Sequence, residues 1–500
     1  MTAGTPCLLS FAVLLLGLVA PTAAGVLVDT VGFTGRDRQV YGPALRYIAN
    51  DTARGVHVAW KDGYGDIRYA FRPRDSVWRQ PGGIVVNPSP RNLGCLAVDP
   101  YSGKAILGTD YLSRGELHTS RFDDSLPGAG RFKERAIAAG FRNLLPATAR
   151  FGTILCAGLH NDTLFYVTAF GGQGLGRVGP FPSHSITGSA RSSRFSFIWT
   201  DSDNASLYLK ETPNSGMSWY ETCNLSDSAP GPLTRSLLGG CAVYDSIRLY
   251  LAAGFYDGLH PNCSEIWLFA KYGNPPWSLV HRISLPDSSR LGDFALACCR
   301  PTLARNPRNA ELYVTWEQFD PQNVDPVTGL CRADVWACRS CDSGRTWGEA
   351  TRITQPGESS KRFPFLAEVA DDTLRIICFD DQVAGFWEQG QGPQTTNPVL
   401  YLRIPSDHLP AGLAESETDP GPFPAVSGPQ VRPAVSSRGF SVTCPNPTLV
   451  EFYDGTGRKT ATYRNRTRDL GRELRAGVYF VRTCSPGHGT AVCRVIKLCH

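Results

Sequence analysis

From about residue 40 to residue 405 one pattern of short strands recurs roughly every 50–60 residues, and this repeat constrains the fold more than any other feature. Each unit offers a short strand, an apolar strand ending near an aspartate, a third strand and often an aromatic-led fourth. The first unit reads Leu45-Arg-Tyr-Ile-Ala, Val56-His-Val-Ala-Trp60, Asp66-Ile-Arg-Tyr-Ala-Phe71 and a strand from Trp78. The second and third centre on Leu93–Val98, Ala105–Gly108 and Glu116–Ser120, then on Thr153–Ala157 and Leu164–Thr168. The fourth and fifth carry Phe195–Trp199 and Ser206–Lys210, then Leu249–Ala253 and Glu265–Phe269. The last two carry Leu312–Trp316, then Leu374–Phe379 and Val399–Ile404. Four short strands per unit, repeated around a ring, predict an all-β chain and a β-propeller, because closure removes the exposed sheet edges. Seven blades are favoured and six stay open, since units two and three are weak. A pair of β-sandwiches is the competing arrangement. The seventh unit shows no fourth strand, and Gly25-Val-Leu-Val-Asp29 is the expected replacement.

Ser340-Cys-Asp-Ser-Gly-Arg-Thr-Trp347 has the chemistry of a tight hairpin corner. Asp342 can cap its own turn through backbone N–H groups, Gly344 supplies a left-handed conformation, and Thr346 and Trp347 start the next strand. A looser copy, Thr212-Pro-Asn-Ser-Gly-Met-Ser-Trp219, keeps Gly216 and Trp219 and places Asn214 where the first has Asp. The two octets resemble the Asp-box, or BNR, repeats of sialidase-like propellers. That resemblance implies a fold and says little about catalysis. Since sialidases are six-bladed, it also keeps the count of six open.

Gly 51, Pro 37 and 10% aromatic residues suit strands and turns rather than helices. The net charge of +5 is mild and no Lys/Arg run is present, so no nucleic-acid partner is expected. The apolar stretch Cys7 to Ala20, followed by Pro-Thr-Ala-Ala-Gly25, reads as a secretory signal over residues 1–24, although no Lys or Arg precedes it. The run is short for a membrane span, so no integral membrane segment is expected after its removal. Sixteen Cys include Cys7, and export permits disulfides among the rest. Cys484 and Cys493 flank Ser-Pro-Gly-His-Gly as a hairpin disulfide would. Cys338-Arg-Ser-Cys341 has a redox or zinc spacing but lies in the hairpin corner without a second pair. Neither it nor the acidic loop Glu317–Asp325 makes a metal site, and no cofactor is expected.

Residues 25–407 are assigned to the propeller and 408–436, dense in Pro and Gly, to a linker. Residues 437–500 read as a small β-domain, an immunoglobulin-like sandwich. Within it, Asn446-Pro447, Phe452-Tyr-Asp-Gly-Thr-Gly-Arg458 and Ala476-Gly-Val-Tyr-Phe-Val-Arg482 resemble the C-terminal sorting domain of type IX secretion substrates. The resemblance implies the type IX machinery as a partner and a secreted or outer-surface bacterial location. A plain binding module is the alternative.

Six units carry an arginine at the start of the first strand: Arg46, Arg91, Arg142, Arg235, Arg300 and Arg362. In the fourth unit His184 lies nearest. An aspartate follows each second strand, among them Asp62, Asp320 and Asp380, with Asp110, Asp162, Asp201 and Asp257 in the other units. One strand down and one strand back puts both series on one face of the ring. Converging guanidinium forks would clamp an anion or a glycan there, with nearby carboxylates available for acid chemistry. The competing expectation is that each Arg pairs with an Asp and locks blade to blade. Sialidases resemble the first arrangement, adding an aspartate acid and a Tyr–Glu nucleophile. Here the only Arg-Ile-Pro string is Arg403-Ile-Pro405, at the far end, and nothing selects a Tyr–Glu pair from Tyr256, Tyr313 and Glu317. The sequence therefore favours an exported glycan- or anion-binding protein over an exo-acting glycoside hydrolase or a structural surface protein.

Overall fold

The computed structural model describes residues 26–35, 46–87, 95–113, 116–123, 127–135, 142–161, 163–168, 171–177, 184–201, 205–229, 235–236, 238–273 and 276–411. Beyond these it describes the strands of 430–497 and short adjoining stretches (453–454, 458 and 474–475). The signal reading lies outside the described residues, as do Arg91 and Asp162. The chain divides into two compact units, Met1–Ala414 and Glu415–His500.

Among the described residues the first unit holds seven four-stranded antiparallel sheets. Six follow chain order over residues 48–87, 96–135, 142–177, 184–224, 240–284 and 298–352. The last combines Ser360–Leu366, Thr373–Asp381 and Thr396–Pro405 with the first described strand, Leu27–Gly35. That strand runs antiparallel to Thr396–Pro405, from Leu27 opposite Arg403 to Gly35 opposite Thr396. The N-terminal segment thus supplies the missing fourth strand, over a longer stretch than the sequence suggested.

The first strand of each sheet packs against the first strand of the next, and Ile48–Asp51 meets Thr373–Asp381 of the last. The arrangement is a β-propeller. Burial follows position in the sheet. Second strands are covered on both faces, so Gly55–Lys61 and Phe195–Thr200 are buried along their whole length. Outer strands such as Trp277–Ser284 mix buried, half-buried and exposed positions.

Short polar side chains on the inner strands tie neighbouring sheets together. Asn50 Nδ2 donates to Val369 O at 2.9 Å, Thr148 Oγ1 to Val98 O at 2.9 Å and Ser185 Oγ to Gly240 O at 2.8 Å. Thr302 Oγ1 donates to Pro364 O at 3.2 Å. These groups satisfy carbonyls that tight packing would otherwise strand without water. At the seam between first and last sheets, the buried ring of Trp60 lies against two glycines. A Cβ on Gly32 of the N-terminal strand would stand 2.4 Å from the ring, and one on Gly83 also 2.4 Å.

The Ser340–Trp347 corner is held as its chemistry suggested. The Asp342 carboxylate accepts from the N–H groups of Arg345 and Thr346, both at 2.9 Å, and from Thr346 Oγ1 at 2.8 Å. Ser340 Oγ donates to Asp342 and accepts from Gly344 N, each at 2.8 Å. Gly344 has φ +83°, and a Cβ there would stand 2.2 Å from Leu268 of the preceding sheet. Ser278 Oγ of that sheet donates to Gly344 O at 2.5 Å and accepts from Trp347 Nε1 at 3.2 Å. The corner therefore staples two sheets. In the second corner Asn214 Oδ1 accepts from Ser218 N at 2.8 Å and Thr212 Oγ1 from Gly216 N at 2.8 Å, so an amide does the same work. Trp219 packs on Tyr166 of the preceding sheet with centroids 4.7 Å apart.

Among the described residues the second unit holds a five-stranded sheet and a two-stranded one. Leu449–Tyr453, Gly477–Ser485 and Gly489–Lys497 fall where the sequence placed strands. Two short strands, Gln430–Val431 and Val435–Ser436, fall inside the stretch read as linker, and the latter pairs in parallel with Gly489–Lys497. The hairpin disulfide is corrected by register: Cys484 lies opposite Thr490 and Cys493 opposite Val481, so the two cysteines are not cross-strand partners. Among the described residues, eleven cysteines of the first unit are free thiols, and no helix is long and apolar enough to cross a membrane.

Two substitutions test these devices by urea unfolding. Gly32→Val drives a branched side chain into Trp60 and should cost about 1–3 kcal/mol. Asp342→Ala strands two N–H groups and two hydroxyls and should cost about 1–3 kcal/mol. Unchanged midpoints would show that neither contact holds its seam.

Candidate binding site

The structure separates the arginines that the sequence grouped. Arg300 and Arg362 sit where the inner strands of the last two sheets lose register, between Cys299 and Thr302 and between Arg362 and Phe365. The irregularity needs left-handed backbone at Arg300 (φ +53°) and Phe363 (φ +56°). Both guanidinium groups turn inward onto one carboxylate, Glu317. Arg300 Nη1 is ion-paired with it and Arg362 Nη2 lies 3.6 Å away. Arg300 Nη2 donates to Phe294 O at 2.8 Å. Arg362 lies over Phe363 and Phe386, 4.7 Å from each ring centroid, and 5.5 Å from Phe319. At 1% and 2% side-chain exposure neither arginine can meet a ligand. Their assignment as ligand-binding residues is corrected: the bulges bury them, and they tie the last two sheets together.

The recurrent aspartates are turn formers. Asp62 accepts from the N–H groups of Tyr64 and Asp66 at 2.9 and 3.0 Å and pairs with Arg68 at 2.5 Å. Asp257 accepts from the N–H groups of Leu259 and His260, both at 2.8 Å, and Asp201 from Ser206 N at 3.1 Å. Asp320 accepts from Gln322 N at 2.9 Å and meets Arg352 at 3.2 Å. Asp380 pairs with Lys361 at 2.5 Å. An aspartate leaving a second strand caps the following loop, which explains its presence in unit after unit. Among the arginines with described side chains, Arg46, Arg235, Arg300 and Arg362, none forms the expected pair with an aspartate of the series. Arg142 begins the third sheet's inner strand, and Arg235 is exposed, bridging Tyr256 through backbone hydrogen bonds.

Arg46 behaves differently. Its side chain enters the ring, where Nη1 is ion-paired with Glu368 and Nη2 donates to Ala242 O. Thr187 Oγ1 donates to the other Glu368 oxygen at 3.3 Å. One carboxylate thus joins the first, fourth and last sheets across the axis. These two charged groups border a cavity of about 190 Å³ at the end of the ring where the inner strands finish. This is the side of the Ser340–Trp347 corner, opposite the face where the sequence placed a site. Ile48, Leu96, Pro146 and Val369 supply apolar wall. A second recess of about 80 Å³ shares Glu368 and Val369 and is bordered by Arg305, which pairs with Asp245 at 2.9 Å.

Glu368 is a third exposed to this space although the ring encloses it. Burial raises its pKa, and Arg46 and the Thr187 hydroxyl offset that only in part, so it protonates above the ordinary carboxylate range. Asp51, the other carboxylate of the wall, is committed to its own turn. It accepts from Ala53 N at 3.0 Å and Arg54 N at 3.2 Å and pairs with the Arg54 guanidinium at 2.8 Å. No motif marks Glu368 in the sequence. It is a single acid after an inner strand, and only closure of the ring brings it to Arg46.

No protein-family model matches the sequence, and no curated protein does. Among solved structures, the BP39L lectin from Burkholderia pseudomallei is similar at 13% identity and TM-score 0.45, over 68% of this chain and 94% of the lectin. The six-bladed lectin of Aleuria aurantia is similar at 12% identity and TM-score 0.35, over 75% of this chain and 98% of that one. The GH74 xyloglucanase from Xanthomonas campestris is similar at 14% identity and TM-score 0.35, over 75% and 44%. The likeness is one of architecture and assigns no residue.

The Glu317 cluster makes a pH prediction. Burial pushes its carboxyl up, but Arg300, Arg362, the Phe363 N–H and the Cys299 thiol outweigh this and hold it below the ordinary range. Its contribution is therefore present above the unfolded value of about 4.3 and is lost as pH falls through the lower folded value. Glu317→Gln should destabilise the chain by about 3–5 kcal/mol at neutral pH and flatten the acid limb of the stability curve. An unchanged acid limb would contradict the assignment.

Proposed function

We propose that this chain is an exported glycan-binding protein. In this reading its seven sheets form a closed seven-bladed propeller and the axial cavity at Arg46 and Glu368 is the ligand site. The observation that carries the reading is the cavity itself, an apolar-walled space of about 190 Å³ bordered by one guanidinium and one partly exposed carboxylate. A sugar presents hydroxyls that donate and accept together with apolar C–H faces, and this lining answers both. In the same reading residues 1–24 are a secretory signal and the C-terminal unit is an immunoglobulin-like sorting domain. Its recognition by type IX machinery would deliver the protein to the medium or the outer surface. The corners at Ser340–Trp347 and Thr212–Trp219 act as structural Asp boxes.

Binding is favoured over hydrolysis by the carboxylates. Glycosidases of the common type need two, one kept protonated and one acting as base or nucleophile. In the described cavity wall Glu368, paired with Arg46, is the more exposed carboxylate, whereas Asp51 is held by its turn and by Arg54. A sialidase-type clamp would also need open arginines, and Arg300 and Arg362 are buried on Glu317.

The test is a glycan array with the full chain, alongside fluorogenic sialosides. Glu368→Gln should weaken the bound glycan about tenfold or more with folding retained. Wild-type affinity should fall with decreasing pH, starting above the ordinary carboxylate range, because the accepting form of Glu368 is lost there. Turnover of a sialoside would support the hydrolase reading instead. Wild-type affinity in Glu368→Gln would move the site elsewhere.

A further inference from the structure

We propose a second subsite, an anion pocket in the seam between the first and last sheets, which takes a carboxylate or sulfate group through Arg403. Its attachment to a glycan rests on the axial-cavity reading; its capacity for an oxyanion does not. On the last sheet Arg403 lies directly opposite Arg375. Facing like charges across two strands oppose each other. Both border a cleft of about 50 Å³ that Arg72 and Arg74 of the first sheet complete.

The nearby acids do not neutralise Arg403. Asp371 accepts from Arg375 at 2.7 Å and from Thr373 N at 2.9 Å. Asp29 holds Arg72 at 2.5 Å, Asp51 holds Arg54, and Asp75 is exposed and 3.6 Å from Arg74. Among the described residues Arg403 has no ion pair, and its Nε is buried without a hydrogen-bond partner. A buried, unmatched guanidinium donor beside a second arginine is the arrangement that an oxyanion completes. The cleft has room for one such group and not for a sugar ring.

Position names the ligand class. The cleft shares Asn50, Asp51 and Thr52 with the axial cavity. A sugar in that cavity would direct a substituent across these residues into the seam. The ligand expected is a glycan bearing a carboxylate or sulfate.

The test uses the full chain with inorganic sulfate, against chloride at matched ionic strength, by calorimetry and thermal unfolding. Sulfate should bind and raise the melting temperature. Arg403→Gln should weaken it about tenfold, and Arg74→Gln, an exposed change that leaves packing alone, several-fold. Arg403→Gln should melt in chloride no lower than wild type, since a facing like charge is removed. Sulfate acting no differently from chloride, or binding Arg403→Gln as tightly as wild type, would overturn the proposal. Neutral, carboxylated and sulfated forms of one oligosaccharide then separate the readings. Stronger binding of a charged form, lost in Arg403→Gln while the neutral form still binds, supports the joined site and shows which group it prefers. Sulfate binding through Arg403 with no oligosaccharide bound would defeat the axial reading and leave the anion subsite standing.

Discussion

The pairing of Leu27–Gly35 with Thr396–Pro405 is the contact on which the rest of the propeller unit depends. Without it the last sheet has three strands and an open edge, and the Trp60 ring loses the Gly32 wall on which it lies. The same strand brings Asp29 to Arg72, so an ion pair crosses the seam beside the apolar contact. Asn50 adds a hydrogen bond to Val369 on the inner side. Closing a loop of this length carries an entropic cost, and these contacts between the two ends of the unit offset it.

Closure also explains how charge is distributed. At the two register breaks, the left-handed backbone at Arg300 and Phe363 turns two guanidinium groups inward onto one carboxylate, where aromatic faces cover them. Those charges serve the fold. On the axis Arg46 and Glu368 belong to different sheets and meet in a space that stays open. Residue types alone do not separate the two situations. The difference lies in whether neighbouring side chains fill the space around the pair.

Strand positions and hairpin corners were legible because they depend on local rules. Alternation and β-branched runs located the second strands, and Ser340, Asp342 and Gly344 carried their own turn chemistry. The N-terminal strand was legible from an absence, the fourth strand that the last unit lacks. The site was harder to read. A repeated aspartate looks like a functional series, yet at Asp62, Asp201 and Asp257 it caps a loop, which is a local role. The partners that matter for Arg46, Arg300 and Arg362 are glutamates with no motif, and Glu368 is 322 residues from Arg46. Such pairs are set by the ring and not by spacing. The disulfide expectation failed for a related reason, because flanking a turn does not fix register, and Cys484 and Cys493 fall out of step.

Amide hydrogen exchange on the full chain, followed across Leu27–Gly35 and Thr396–Pro405, tests closure most directly. The account predicts that amides of both strands are protected to a similar degree and exchange together, as one cooperative unit with Thr373–Asp381. Fast exchange across 27–35 with slow exchange in 373–405 would contradict it, because the N-terminal strand would then not seal the ring.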